Sequence, residues 1–189
     1  MIFNQHSRLE GKHSFLSASK YHWINDSIED LEERFRKALA TAEGTELHAL
    51  AAMMITKGIK AARTRQTFHM YVNDCIGFRM TPEQILYYSD NAFGTADAIK
   101  FQDNKLSIFD LKTGSSRTSM KQLYVYAAYF CLEYEVKPHT IEMEFRIYQN
   151  DAIEVLESED IDPHDVLQIM QKIVRYDERL EELKEEMLT

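Results

Sequence analysis

Two carboxylates and an ammonium fall close together in the middle of the chain. Gly94-Thr95-Ala96-Asp97 is followed, thirteen residues after the aspartate, by Asp110-Leu111-Lys112. Carboxylate oxygens collect hard divalent cations such as Mg²⁺. A cation held there lowers the pKa of water and offsets charge on a phosphate, and a lysine beside it stabilises charge that develops during displacement. The chemistry open to this group is metal-assisted hydrolysis of a phosphodiester. Asp-x-Lys at a strand end is also common as two solvated charges, so its weight depends on what surrounds it.

The surrounding elements are readable. Gln102-Asp103-Asn104-Lys105 is a polar turn between two runs of apolar and β-favouring residues, 93–100 and 106–112, which predicts a hairpin. Strand alternation places Leu106, Ile108 and Asp110 on one face and Ser107, Phe109 and Leu111 on the other. Asp110 and Lys112 therefore share a side, while the Leu111 side chain packs and its carbonyl stays near them. Upstream, Gly44-Thr45-Glu46-Leu47-His48 opens a helical segment running to about Gly58, and a neutral imidazole such as His48 is a good metal ligand. Glu46 is two residues from His48 and faces elsewhere. Downstream, residues 116–134 read as an amphipathic helix carrying Gln122 and Tyr126, four apart and so on one face.

The order is then His, Gly-x-x-Asp, Asp-x-Lys and Gln-x-x-x-Tyr, at intervals of about 49, 13 and 10 residues. This ordered set resembles the RecB-like branch of the PD-(D/E)XK nuclease superfamily over roughly residues 44–134. That branch includes nuclease domains of helicase–nuclease complexes, a CRISPR-adaptation nuclease and phage exonucleases. The run Phe15-Leu16-Ser17-Ala18-Ser19-Lys20-Tyr21-His22-Trp23 also looks like the openings of phage members. The resemblance implies a restriction-endonuclease-like core and Mg²⁺ or Mn²⁺ held by His48, Asp97, Asp110 and the Leu111 carbonyl. It makes Asp97, Asp110 and Lys112 catalytic, with Lys112 aligning water, and gives Gln122 and Tyr126 the support of the site and contact with the DNA backbone. Several relatives hold an iron–sulfur cluster on four cysteines. Only Cys75 and Cys131 occur here, without ligand spacing, so no cluster is expected.

The resemblance points first to an exonuclease acting on DNA in recombination or genome processing. A structure-specific or nonspecific endonuclease would use the same residues. From another class, a non-catalytic DNA- or protein-binding module stays open. A helicase or recombination partner follows by analogy only, since the chain has no Gly-x-x-x-x-Gly-Lys phosphate loop.

A net charge of −9 argues against a general nucleic-acid coat, yet a phosphate channel needs only local positive potential. Lys57, Lys60, Arg63 and Arg65, with no acid between them, are the candidate DNA contacts; Lys105, Arg117 and Lys121 are expected to add positive charge around Lys112. With 189 residues and 44% apolar content, one domain over 1–189 is the simplest expectation: a helical part to 92, the hairpin and helix to 134, then strands and a last helix. No run of eighteen apolar residues occurs, so no membrane partner is expected, and two isolated cysteines fit a reducing cytoplasm, that of a host if phage-encoded.

The remaining elements complete a mixed α/β reading, a small mixed sheet flanked by helices. Ser27 caps a helix to about Thr41, residues 63–78 form another, and Thr81-Pro82-Glu83-Gln84 begins a short one. Residues 140–148 alternate as a half-buried strand, Asn150-Asp151 turns, and Ala152–Leu156 pairs back. Asp162 caps a long final helix with Pro163 first. Its stripe of Val166, Ile169, Met170, Ile173, Val174, Leu180 and Leu183 packs on its own domain or joins copies into a homo-oligomer.

Overall fold

The computed structural model describes residues 14–16, 18–114 and 118–188. The expected helix start at Ser116 and the cation of Arg117 lie outside them. The chain divides into two compact units, residues 1–43 and 44–189. In the first, Ser27 caps the helix as expected, its Oγ accepting from the Asp30 N–H at 3.1 Å. The Arg34 guanidinium lies over the Phe15 ring, and Phe35 meets that ring edge-on.

The second unit is a mixed α/β layer structure. Its five strands, β1 (Thr81–Ser89), β2 (Ala92–Gln102), β3 (Lys105–Leu111), β4 (Glu142–Gln149) and β5 (Ala152–Leu156), lie in sheet order β1-β2-β3-β4-β5. β3 and β4 are parallel and every other pair is antiparallel. The antiparallel turns are built by residues that tolerate left-handed backbone: Asp103 and Asn104 between β2 and β3, Asn150 and Asp151 between β4 and β5, all with φ of 51–61°. A parallel pair needs a crossover, and α3 (Lys121–Glu133) supplies it.

Two clusters cover the two faces. Leu86, Ala96, Ile99, Leu106, Ile108 and Phe145 pack with Leu123 and Ala127 of α3 and Val166 of α4 (Pro163–Leu188). Ala98, Phe109, Leu111 and Tyr148 pack with Ala51 and Ile55 of α1 (Ile28–Lys57) and Tyr71, Val72 and Cys75 of α2 (Thr67–Phe78). Residues two apart in a regular strand share a face, yet Ala96 and Ala98 fall in opposite clusters. The alternation of β2 is therefore broken at Asp97, where the site lies.

Three expectations are corrected. Residues 81–84 form the start of edge strand β1, not a helix; Arg79, at φ 56°, closes α2 beforehand, with the Arg79 and Met80 N–H groups returning to Ile76 and Cys75 carbonyls. Proline is tolerated there because an edge strand need not use every N–H. Gly44 does not open a helix but lies inside α1, where a Cβ would meet Thr113 Oγ1 at 2.7 Å. Its function is close approach of α1 to the end of β3. β4 is not half-buried: Glu144 and Arg146, expected in solvent, are covered. Arg146 Nε donates to Glu144 at 2.6 Å, and its guanidinium lies 4.6 Å from the Phe78 ring centre and 4.8 Å from that of Phe109. A strand inside the sheet has both faces covered, so its charges must be paired.

Asp162 does cap α4, accepting the His164 N–H at 2.8 Å. Ile169, Met170 and Ile173 pack on the core, whereas Leu180 and Leu183 are exposed. No helix among the described residues is long and apolar enough to cross a membrane.

Candidate active site

Three elements bring their chemistry to one end of the sheet. α1 supplies His48, β2 supplies Asp97, and β3 runs out into Asp110, Leu111 and Lys112. His48 Nδ1 lies 3.3 Å from Asp97 Oδ1, and the other Asp97 oxygen accepts the Leu111 N–H at 2.8 Å. That backbone bond ties the break in β2 to the end of β3 and fixes the orientation of the carboxylate.

Asp110 follows Leu106 and Ile108 on the α3 side and is 1% exposed. Lys112 Nζ donates to its Oδ1 at 3.1 Å; Oδ2 lies 2.9 Å from the same nitrogen but outside hydrogen-bonding geometry, and takes no hydrogen bond. Lys112 also donates to Gln122 Oε1 at 2.8 Å, and Gln122 Nε2 donates to the Tyr126 hydroxyl at 2.8 Å. The result is a chain of bonded groups, Asp110–Lys112–Gln122–Tyr126, running from a buried carboxylate to α3. Gly94 permits it: a Cβ there would lie 3.1 Å from Tyr126 Cε1. The glycine of Gly-x-x-Asp thus serves the Gln-x-x-x-Tyr helix across the sheet.

One residue outside the expected set joins the group. Ligand atoms of His48, Glu83 and Asp97 all lie within 4.8 Å of one another. Glu83 was hidden by the helical reading of residues 81–84, since only as part of β1 does it reach Asp97. The signal that could have found it is the edge-strand pattern of Ile85, Leu86 and Tyr87 following Pro82. Glu46, by contrast, stays outside the group, as its helical position predicts.

The electrostatics share one sign. Burial, with Asp97 adding, pushes the Asp110 carboxyl up to about 6 against the attraction of Lys112. The Asp97 hydrogen bond raises His48 above its ordinary value although burial opposes it, and desolvation around its carboxyl, then Asp97, raises Glu83. Burial is the larger cause for Asp110 and Glu83, and Asp97 contributes to all three shifts, a negative charge that a cation would offset. A hard divalent cation fits this donor set: the His48 imidazole and the Glu83 and Asp97 carboxylates, with the buried Asp110 oxygen that takes no hydrogen bond at the same end of the sheet. The described cysteines do not contribute. Cys75 and Cys131 are buried apart in the two clusters, and burial pushes the Cys131 thiol up to about 12.

The basic residues are distributed differently from expectation. Lys57 ends α1, and Lys60, Arg63 and Arg65 are exposed on the following loop. Asn73 holds that loop, accepting the Ala61 N–H at 3.0 Å and donating to the Ala61 carbonyl at 3.3 Å. A groove of about 460 Å³ lined by Gln66, Thr67, Phe68 and Lys112 links the end of the loop to the site. Lys105 does not belong there. It lies at the opposite end of β3, about 20 Å of strand from Lys112, and is bound to Glu144 at 2.7 Å. No family model matches the chain, and neither a curated protein nor a solved structure does.

Proposed function

We propose that the protein is a metal-dependent deoxyribonuclease, with exonuclease action the first reading. The observation that carries it is the meeting of two bonded sets at one sheet end: His48–Asp97 with Glu83 nearby, and Asp110–Lys112–Gln122–Tyr126. His48, Asp97, Asp110 and the Leu111 carbonyl would hold Mg²⁺ or Mn²⁺, which when bound polarises the phosphodiester and acidifies water.

The protein's own groups then have defined tasks. The Lys112 ammonium is fixed between Asp110 and Gln122, so its remaining donor direction is set before substrate arrives. Such a fixed cation orients the attacking water and stabilises charge as it develops on the phosphate oxygens. Tyr126 restrains Gln122 and through it Lys112. The groove from Lys112 towards the Lys57–Arg65 loop supports passage of a phosphate backbone beside that loop. On the β1–β2 hairpin, Tyr87 and Phe93 stack with ring centres 6.5 Å apart and are exposed, an aromatic surface on which bases of a strand could stack.

The deciding experiment assays linear, nicked and closed circular DNA with Mg²⁺ or Mn²⁺, using the wild type and Lys112→Ala. Loss of linear DNA alone, with the variant slower by about 10²–10³-fold and still folded, is the expected result. Cleavage of closed circles would move the protein to the endonucleases. Cleavage that Lys112→Ala leaves at full rate would remove the assigned site, and no cleavage of any substrate would favour a binding module.

A further inference from the structure

Glu83 sits where the β1–β2 ladder is interrupted. Pro82 pairs with Ala98 and Gln84 with Ala96, so Glu83 faces Asp97 across the two strands, yet these two residues form no pair. The Glu83 backbone has φ 49°, the left-handed region, which a residue with a long side chain rarely adopts. Glu83 is exposed, and among the described residues its carboxylate takes no hydrogen bond and no ion pair. What it does have within 4.8 Å is one ligand atom each of His48 and Asp97. Donors facing one another across a divalent cation, each about 2.0–2.6 Å from it, are separated by at most about 5 Å. Asp110, 1% exposed, with Oδ2 free of hydrogen bonds though 2.9 Å from the Lys112 ammonium, is a further, buried carboxylate at this end of the sheet.

We infer that Glu83 is a ligand of the divalent cation, joining His48 and Asp97, and that the strained backbone of β1 exists to present it. The inference rests on the cation-site reading proposed above and adds a residue that the four ordered motifs do not contain. It also explains why both strands lose their regularity at one level. The break in β2 aims Asp97, and the left-handed residue in β1 aims its neighbour across the ladder. Strain of this kind persists only where surrounding structure over-determines it, and sheet pairs on both sides of Glu83 do so here.

Mn²⁺ binding to the full chain, measured calorimetrically with Mn²⁺ as the only ligand, tests this without requiring cleavage. Glu83→Gln keeps the side-chain size and removes the charge. Glu83→Gly removes the carboxylate and also relieves the backbone, since glycine adopts positive φ freely. Both variants should bind Mn²⁺ at least about 10-fold more weakly, the scale at which even outer supports of metal sites act. Stripped of metal, Glu83→Gly should unfold at a higher temperature than Glu83→Gln, since only glycine also relieves the backbone. Asp97→Asn separates the two levels of the reading. If it abolishes binding while Glu83→Gln stays within twofold of wild type, the cation site stands and the role of Glu83 falls. A wild-type chain that takes no Mn²⁺ at millimolar concentration overturns both. Should Glu83→Gln fail to fold, affinity of the Glu83→Gly variant decides.

Discussion

Asp110→Asn in metal-stripped protein isolates what the buried carboxylate does to the fold. Asp110 is 1% exposed, and its carboxyl is pushed from an ordinary value of 3.8 up to about 6 by burial and by Asp97. A carboxyl whose pKa is higher in the folded state contributes stability that is fully present below the unfolded value. That contribution is lost as pH rises through the folded value. The loss runs from about pH 4 to pH 6 and amounts to about 3 kcal/mol, at 1.36 kcal/mol per pKa unit. Asparagine is neutral throughout, so the variant should gain about 3 kcal/mol on wild type between pH 4 and pH 7.5. The absolute gain at neutral pH is smaller, because a buried amide N–H₂ beside Lys112 is itself costly by about 1–3 kcal/mol. Urea unfolding of both proteins at pH 4, 5, 6 and 7.5 measures the difference, and groups that do not interact with Asp110 cancel. Adding Mn²⁺ at pH 7.5 should then raise wild type towards or past the variant, since a ligand of the folded state stabilises it by mass action. A stability difference that stays flat across the range, or that moves in favour of wild type as pH rises, would refute the charge assignment.

Two further perturbations probe distinct parts. Burial raises the Glu144 carboxyl, but hydrogen bonds from Lys105 and Arg146 outweigh it and hold it below 4.5, so its contribution is present above 4.5 and is lost as pH falls through the folded value. Glu144→Gln should therefore cost about 3 kcal/mol at pH 7, with the gap to wild type closing below pH 4.5; a gap that persists in acid would place the loss in packing instead. Replacing Lys57, Lys60, Arg63 and Arg65 by glutamine should weaken DNA binding and flatten its logarithmic salt dependence by up to about 0.9 for each phosphate that is no longer neutralised. Unchanged slopes in a binding titration from 50 to 200 mM salt would detach this loop from the substrate path.

Local chemistry made the centre of the site readable. Asp103 and Asn104 tolerate left-handed backbone, so the hairpin follows from their types, and period-two alternation then brings Asp110 and Lys112 to one side. The spacing of Gln122 and Tyr126 gives their 2.8 Å bond in the same way. What stayed hidden depends on pairing between distant segments. Thr81-Pro82-Glu83-Gln84 carries proline at a position good for a helix start, and only pairing with β2 makes it a strand. Gly44 resembles a helix boundary locally, whereas its need comes from Thr113, nearly seventy residues on. Alternation in β4 identifies Glu144 and Arg146 as sharing a face, but whether that face is wet is decided by α2.

The distribution of cost in this unit has a physical logic. Two unfavourable features, a buried carboxylate oxygen without a hydrogen bond and a glutamate at φ 49°, occur at the same end of the sheet. Both adjoin Asp97, whose own strand loses its alternation there. By contrast, the other buried charge of the sheet, Glu144, is paired with Arg146 and Lys105, and the half-buried Arg146 lies against the rings of Phe78 and Phe109. The same fold thus satisfies buried charge fully where only stability is at stake. Where His48, Glu83, Asp97, Asp110 and Lys112 converge, it leaves one Asp110 oxygen without a hydrogen bond although Lys112 pairs with that carboxylate. Strained backbone and perturbed carboxyls that persist beside a well-packed core are enriched at sites of function. A divalent cation would relieve the electrostatic part directly and give the glutamate's conformation its purpose, which ties the stability of this end of the sheet to its occupancy.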